Sequence, residues 1–156
     1  MPESQFVLTM SKSTISSVFP DVNVWLALST PDHEHFRSAW KWYTSLPAGT
    51  VLIFCRITQL GLLRLLTTQA VMGQGVLNQA EAWRTFDRWI KAGGAEFAEE
   101  PSGFEARFRS NTSTVQASPK EWADAYLAAF SFMHGSLLIT FDRALAGKAK
   151  GTILLQ

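Results

Sequence analysis

The sequence has little cysteine, little net charge and no long apolar run. Its single cysteine, Cys55, excludes an internal disulfide framework and any metal site built from several cysteines. One free cysteine is typical of a reducing compartment, so we expect a cytoplasmic protein. No apolar stretch reaches the roughly 18 residues that a membrane-spanning helix needs. Lys and Arg number 14 and Asp and Glu number 13, which excludes nucleic-acid binding through bulk positive charge.

Several common catalytic motifs are missing as well. The segment Gly73-Gln74-Gly75 lacks the remaining residues of the glycine-rich phosphate-binding loops, and there is no serine nucleophile elbow. Cys55 ends an apolar run, so we expect it in the core rather than as a nucleophile. His33 and His35 are two residues apart and cannot share one helix face, which argues against a zinc pair.

The length and composition indicate one domain with a sizeable core. Hydrophobic residues make up 47% of the 156 residues, and charged residues 17%. Residues 1–17 are polar and rich in serine and threonine, so we predict a flexible lead-in followed by a single domain over 18–156. The alternative is that translation starts at Met10.

Short apolar runs alternate with longer segments of helical periodicity. This alternation predicts an α/β fold with a mostly parallel central sheet flanked by helices. The predicted strands cover 16–20, 51–55, 96–98, 137–140 and 152–155. The predicted helices cover 23–29, 33–45, 58–68, 78–92, 103–109, 119–134 and 142–146, with 72–76 as a loop.

Three aspartates occupy related positions in this pattern. Asp21 and Asp142 each follow a predicted strand, and Asp124 lies near the start of a predicted helix. Because parallel strands end at one edge of their sheet, we expect these carboxylates to be neighbours there. Clustered carboxylates repel each other unless a hard cation such as Mg²⁺ or Mn²⁺ binds them, and such a site can activate water against a phosphodiester. The alternative is that Asp21 and Asp142 only cap helices.

Four segments then carry a resemblance to a known family. They read DVNVWLAL over 21–28, TQLGLLRLLT over 58–67, WADAYLAA over 122–129 and LITFDR over 138–143. In this order and spacing they resemble PIN-domain proteins, and together they are similar to the VapC-type toxins of bacterial toxin–antitoxin modules. The resemblance extends over nearly the whole chain, from about residue 18 to residue 154.

The resemblance implies a PIN-like three-layer sandwich and a Mg²⁺- or Mn²⁺-dependent endoribonuclease. Such a toxin would cut structured RNA, tRNA or rRNA, form a homodimer and be inhibited by a cognate VapB-type antitoxin in the bacterial cytoplasm. Carried over by position, Asp21, Asp124 and Asp142 become catalytic metal ligands, Asn23 would orient Asp21, and Thr140 would support the site through its hydroxyl. Thr140 has an alternative interpretation as an ordinary threonine at the end of a strand.

One position departs from the family pattern. Gly61 stands where the family often places a glutamate, so a fourth carboxylate is missing. Four nearby residues could supply an oxygen instead, namely Gln59, Thr58, Asp32 and Glu34. The departure also motivates two alternatives. One is a catalytically weak PIN-like module that binds RNA or protein, and the other is a different phosphate-handling hydrolase on the same kind of sheet.

Contacts to RNA would need local positive charge. Arg56, near the end of the second predicted strand, and Arg143, directly after Asp142, are the predicted RNA-binding residues. Lys148 and Lys150 are interpreted as solvated surface charges.

The early helices are rich in aromatic residues. Trp40 and Trp42 diverge by about 200° around a helix, so one should face the core and the other a protein partner. That partner would be the antitoxin. The alternative is that both tryptophans are buried within a homodimer.

Overall fold

The computed structural model describes residues 16–156. The predicted lead-in, except for its last two residues, and the alternative start at Met10 lie outside the described residues. The strands are β1 (Ser17–Pro20), β2 (Val51–Phe54), β3 (Ala95–Phe97), β4 (Leu137–Thr140) and β5 (Ile153–Leu154). The helices are α1 (Val22–Ser29), α2 (Phe36–Ser45), α3 (Arg56–Leu66), α4 (Gln69–Met72), α5 (Gln79–Lys91), α6 (Phe104–Thr112), α7 (Glu121–His134) and α8 (Arg143–Lys148). Within 16–156, no helix is both long and apolar enough to span a bilayer.

The five strands form one sheet in the order β3-β2-β1-β4-β5, and every pairing is parallel. The predicted α/β architecture is therefore confirmed, with a sheet that is wholly rather than mostly parallel in the described part of the chain. Parallel neighbours need long crossover connections, which the helical segments supply. Strands β1 and β4 are adjacent, with Pro20 opposite Ile139, so residues far apart in sequence meet at their carboxyl ends.

Each face of the sheet carries its own helical layer, because successive strand side chains point to opposite faces. Val18 of β1 belongs to a core shared with α1, α2, α3 and α5. In that core Trp25 stacks on Phe54 with ring centroids 3.7 Å apart. Phe19, the next residue of β1, belongs to a second core shared with α6, α7 and α8. Because a buried core packs on each face of the sheet, the carboxyl ends of the strands are held in fixed positions.

Many element boundaries differ from the predicted ones by one to three residues, among them those of α2 and α3. Helix α2 begins at Phe36 rather than 33, because His33 and His35 lie in turns where the His35 N–H donates to His33 Nδ1 at 3.0 Å. Helix α3 begins at Arg56 rather than 58. Its first turn is closed by Thr58, whose hydroxyl accepts from the Cys55 N–H at 3.0 Å. The predicted loop over 72–76 is instead the end of α4 followed by a 3₁₀ turn, Gly73–Gly75.

Candidate active site

Two of the three predicted aspartates meet at the carboxyl ends of β1 and β4. Asp21 directly follows β1, and Asp142 comes two residues after β4 ends at Thr140. The Thr140 hydroxyl joins them, since it donates to Asp21 Oδ2 and accepts from the Asp142 backbone N–H at 2.9 Å. We call this arrangement of Asp21, Thr140 and Asp142 the strand-end junction. It brings together side chains that are 121 residues apart in sequence.

Asp21 is a buried carboxylate, with only 5% of its surface exposed. It caps α1, and its Oδ1 accepts from the Val24 N–H at 3.1 Å. Burial raises the pKa of Asp21, and the charge of Asp142 acts in the same direction. The hydrogen bonds from Thr140, Val24 and the Asn23 backbone N–H oppose that rise in pKa but do not cancel it. An ionised Asp21 therefore needs a positive partner.

Asp142 differs from Asp21 in being exposed to solvent. It caps the short helix α8, and its Oδ1 accepts from the backbone N–H groups of Ala144 at 2.8 Å and Leu145 at 3.2 Å. Helix capping was the alternative interpretation of Asp21 and Asp142, and both residues do cap helices. A carboxylate oxygen has more than one lone pair, so a cap does not prevent metal binding.

Asp124 lies in the first turn of α7 and is paired with a lysine. Lys148, the last residue of α8, donates to Asp124 Oδ2 from its Nζ at 2.8 Å. This hydrogen bond raises the pKa of Lys148, and the charges of Asp124, Glu121 and Asp142 raise it further. The ammonium group is therefore charged at neutral pH. The sequence suggested that Lys148 is a solvated surface charge. In the structure it is instead paired with Asp124.

The donor set of the three aspartates suits a hard divalent cation, because every ligand atom would be an oxygen. Among residues 16–156 no cationic side chain forms a salt bridge with the buried Asp21, and Asp124 already binds the Lys148 ammonium, so both carboxylates fit a site for positive charge. Within residues 16–156, however, no three His, Cys, Asp or Glu side chains are close enough to form a ready-made metal cage. Asp124 would have to exchange Lys148 for the metal.

The two predicted supporting residues contribute unequally. Thr140 is fully buried and bonds to both parts of the strand-end junction, which is more than an ordinary strand-end threonine does. The side chain of Asn23 is exposed, and in the described part of the chain no hydrogen bond joins it to Asp21. Asp21 is oriented by Thr140 and by backbone N–H groups.

Gly61, where a glutamate was expected, lies at a close contact between α1 and α3. A Cβ atom added to Gly61 would stand 2.6 Å from Val22 Cγ2 and 3.0 Å from Val22 Cγ1. The shorter distance is below the range of real Cβ contacts, so a side chain at this position would require Val22 to shift. Gly61 therefore permits the close approach of α1 and α3.

The residues considered as replacements are committed to other contacts or lie in an exposed turn. Thr58 caps α3, and Gln59 accepts a hydrogen bond from Arg56 at 2.5 Å. Asp32 and Glu34 are exposed in the turns before α2. Cys55 is buried, and burial raises the pKa of its thiol, so its assignment to the core is confirmed.

The predicted RNA-binding arginines both lie at the carboxyl edge of the sheet. Arg56 follows β2 by two residues, and its guanidinium lies 4.6 Å from the centre of the Phe97 ring. Arg143 is the exposed first residue of α8, next to Asp142.

Sequence reasoning missed an open groove of about 770 Å³ between α6, α7 and α8. Its charged and polar lining includes Arg107, Asn111, Glu121, Lys148 and Lys150. The Arg107 guanidinium lies 3.9 Å from the centre of the Phe132 ring. Only Lys148 and Lys150 were noticed in the sequence, because Arg107 belongs to a different element and no local pattern links them. Lys148 lines the groove together with Arg107 and Lys150 and also binds Asp124, so it connects the groove to that carboxylate.

Comparisons with known proteins agree with this architecture. The family model described as PIN domain matches residues 18–151. The chain is 41% identical over 133 residues to Ribonuclease VapC41 of Mycobacterium tuberculosis, which covers 80% of this chain and 88% of that protein. The crystal structure of Mycobacterium tuberculosis VapC20, titled a sarcin-ricin loop cleaving toxin, superposes with a TM-score of 0.61. It is 14% identical and covers 83% of this chain and 93% of its own.

A second structure shares the fold at lower identity. It is VapBC2 from Rickettsia felis bound to a DNA fragment from its promoter, with a TM-score of 0.60 and 9% identity over 90% of this chain and 99% of that chain. The family model and the 41% identical relative both extend over most of the sequence. The chain therefore belongs to the PIN-domain family and, within it, to the VapC-type toxins.

Proposed function

We propose that this protein is an endoribonuclease toxin that cuts structured RNA, tRNA or rRNA, with Mg²⁺ or Mn²⁺ held by Asp21, Asp124 and Asp142. One observation carries the proposal, namely the strand-end junction. Two carboxylates lie at neighbouring strand ends, and one of them is buried beside the other with its pKa raised. Helix capping alone does not require one of the two carboxylates to be buried close to the other at a cost in stability, so the arrangement favours a role in binding a cation.

The side chains divide the work between them. Asp21 is fixed by Thr140 and Val24, so its oxygens keep one orientation toward the edge of the sheet. Asp142 is fixed at the start of α8 and directs an exposed carboxylate to the same edge. A bound divalent cation would stabilise charge on the phosphodiester and lower the pKa of a water molecule. Asp124 completes the oxygen set once Lys148 leaves it.

RNA would approach through a few well-placed cations rather than a basic surface. We call Asp21, Asp124 and Asp142 together the acidic centre. Arg56 and Arg143 stand at the carboxyl edge, where their guanidinium groups can bind phosphates on either side of this centre. Because these contacts release counterions, RNA binding should weaken as salt rises. The net charge of +1 agrees with a limited number of phosphate contacts.

A protein partner would bind the apolar side chains that remain exposed. Trp42 packs against the core while Trp40 on α2 is 43% exposed, which agrees with the predicted division of their faces. On α3, Ile57 and Leu60 are 38% and 63% exposed. We propose that these surfaces serve a cognate antitoxin and a homodimer. The similar structure VapBC2 from Rickettsia felis supports an antitoxin as the partner.

The proposal is tested by incubating purified, antitoxin-free protein with total bacterial RNA in Mg²⁺, Mn²⁺ or EDTA. We expect discrete fragments that require the metal and that disappear with Asp142→Asn. The matched control is Asp87→Asn on α5, in the helical layer that packs on the other side of the sheet, which should cut like the wild type. Cleavage that survives in EDTA or in Asp142→Asn would contradict the proposal.

The glycine at position 61 favours a second candidate, a module that binds RNA or protein without cutting it. A side chain at this position would press against Val22, and without one the site lacks the fourth carboxylate that the family often has. This candidate predicts intact RNA in every lane of the same assay, together with RNA or antitoxin binding by the folded protein.

A further inference from the structure

The ammonium group of Lys148 is bound to Asp124, one of the three aspartates of the candidate metal site. Its Nζ is 2.8 Å from Asp124 Oδ2, and Asp142 and Glu121 are near enough for their charges to act on it. Helix α8 accounts for this position. Asp142 caps the start of the helix and Lys148, its last residue, binds Asp124, so one short element connects the strand-end junction to the first turn of α7.

This placement sets two cations against each other. A divalent cation bound to Asp124 would compete with Lys148 for the negative charge of that carboxylate, because two cations held side by side repel each other. The Asp124 side chain is 21% exposed and that of Lys148 is 39% exposed, so water reaches the pair. Solvated ion pairs of this kind are weak enough to exchange.

We propose that Lys148 is the internal counter-ion of the acidic centre, which occupies Asp124 in the metal-free protein and moves into the adjoining groove to bind substrate phosphate when a divalent cation takes its place. The inference rests on the proposed function. The groove supplies the destination, because Lys148 already lines it together with Arg107 and Lys150. Lys148 would thus weaken metal binding and strengthen RNA binding.

The two roles predict opposite effects in one variant. In Lys148→Gln, Mn²⁺ no longer competes with an ammonium, and we expect it to bind roughly 3- to 10-fold more tightly in isothermal titration. In saturating Mn²⁺ the same variant should need roughly 3- to 10-fold more RNA than the wild type to reach half-maximal cleavage at low salt. A lysine that only stabilised the fold would not move the two affinities in opposite directions.

Two matched variants control for charge and for folding. Lys150→Gln removes the same charge two residues away in the same groove, and Mn²⁺ should bind to it within about 2-fold of the wild type. Lys148→Arg keeps a positive charge and should retain the wild-type order of both affinities. Chemical labelling adds a direct readout, because Lys148 should react with an amine reagent faster in Mn²⁺ than in EDTA, while Lys150 should not change.

The outcomes separate the inference from the proposed function. Equal Mn²⁺ affinity in the wild type and Lys148→Gln, with binding lost in Asp142→Asn, would overturn the role of Lys148 and leave the metal centre standing. If Mn²⁺ binds to neither protein, both ideas fail. Tighter Mn²⁺ binding with unchanged RNA affinity would overturn the transfer of Lys148 to the phosphate.

Discussion

The two sides of the acidic centre are built differently. The strand-end junction is held by backbone and buried hydrogen bonds, with Thr140 fully buried and Asp21 5% exposed. The opposite side, where α7 meets α8, is a single solvated ion pair between Asp124 and Lys148. The junction has one arrangement of its donors and acceptors. Asp124, in contrast, has at least two possible partners, the Lys148 ammonium and a metal.

This difference shows where the protein can change without loss of its fold. The junction adjoins the β1–β4 pairing, and the Asp21 N–H donates to the Ile139 carbonyl at 2.9 Å, so moving Asp21 would disturb the end of the sheet. Asp124 and Lys148 are joined by side chains alone, and their exchange costs little. A binding centre assembled from a rigid half and an exchangeable half can keep an acidic cluster stable before its cation arrives.

The largest expected effect follows from removing a carboxylate of the strand-end junction, the rigid half of the centre. Asp142→Asn should lower RNA cleavage roughly 100-fold or more, because a carboxylate that binds the cation is lost while the side-chain shape is kept. Asp124→Asn should cost less, because it also releases Lys148. Initial rates on one RNA at saturating Mn²⁺ measure both. Equal losses in the two variants would mean that the halves do not differ as described.

Removing the bridge of the junction should have an intermediate effect. Thr140→Val keeps the shape of the side chain but deletes the hydroxyl that joins Asp21 to Asp142. Mn²⁺ affinity and cleavage should fall roughly 10-fold, as is typical when the residue that orients a metal ligand is lost. Thr140→Ser is the control and should stay close to the wild type. If Thr140→Val matches Thr140→Ser, the bridge is not needed.

The close contact between α1 and α3 predicts an effect on stability whose sign depends on Val22. Gly61→Ala should lower the free energy of unfolding by about 1–2 kcal/mol, because its Cβ would stand 2.6 Å from Val22 Cγ2. In the Val22→Ala background the same change should raise it by up to about 1 kcal/mol, since alanine favours helix. Urea unfolding of the four proteins measures this. Equal effects in both backgrounds would exclude the contact as the cause.

The smallest effect concerns the pH dependence of stability. Burial raises the pKa of Asp21 above its ordinary value of 3.8, so the folded protein binds this proton more tightly than the unfolded chain does. The Asp21 contribution to the unfolding free energy therefore falls as pH rises from 3.8 through the higher folded pKa. Asp21→Asn should remove this contribution and unfold at a higher temperature than the wild type at neutral pH.

The measurement is the thermal midpoint between pH 4 and pH 7 in EDTA. Cleavage by the wild type should also fall as the pH is lowered, because protonation of Asp21 removes a metal ligand. Identical pH profiles for the thermal midpoint of the wild type and Asp21→Asn would show that the burial of Asp21 carries no energetic penalty.

Sequence reasoning reached the sheet and half of the candidate site. Asp21 and Asp142 follow apolar strands, and the rule that parallel strands end at one edge is enough to bring them together. The segment 137–140 was predicted with the bounds of β4, since apolar runs bounded by polar residues mark buried strands clearly.

The parts that sequence reasoning missed depend on contacts between elements. Lys148 looks like any exposed lysine until α8 packs on α7, 24 residues from its partner Asp124. Gly61 lies at a close contact with the side chain of Val22 on another helix, and no local sequence pattern reveals this contact. The first turn of α3 was placed too late because Cys55 is an unusual cap, and its partner Thr58 closes the turn instead.

One measurement tests most directly whether the two halves form a single metal centre. Crystals of the protein would be soaked in Mn²⁺ and the metal located by its anomalous scattering. We expect one Mn²⁺ bound by Asp21, Asp124 and Asp142, with the Lys148 ammonium released from Asp124 into the groove. A crystal without Mn²⁺ at the strand-end junction, or one in which Lys148 still holds Asp124 beside a bound Mn²⁺, would contradict this description of the centre.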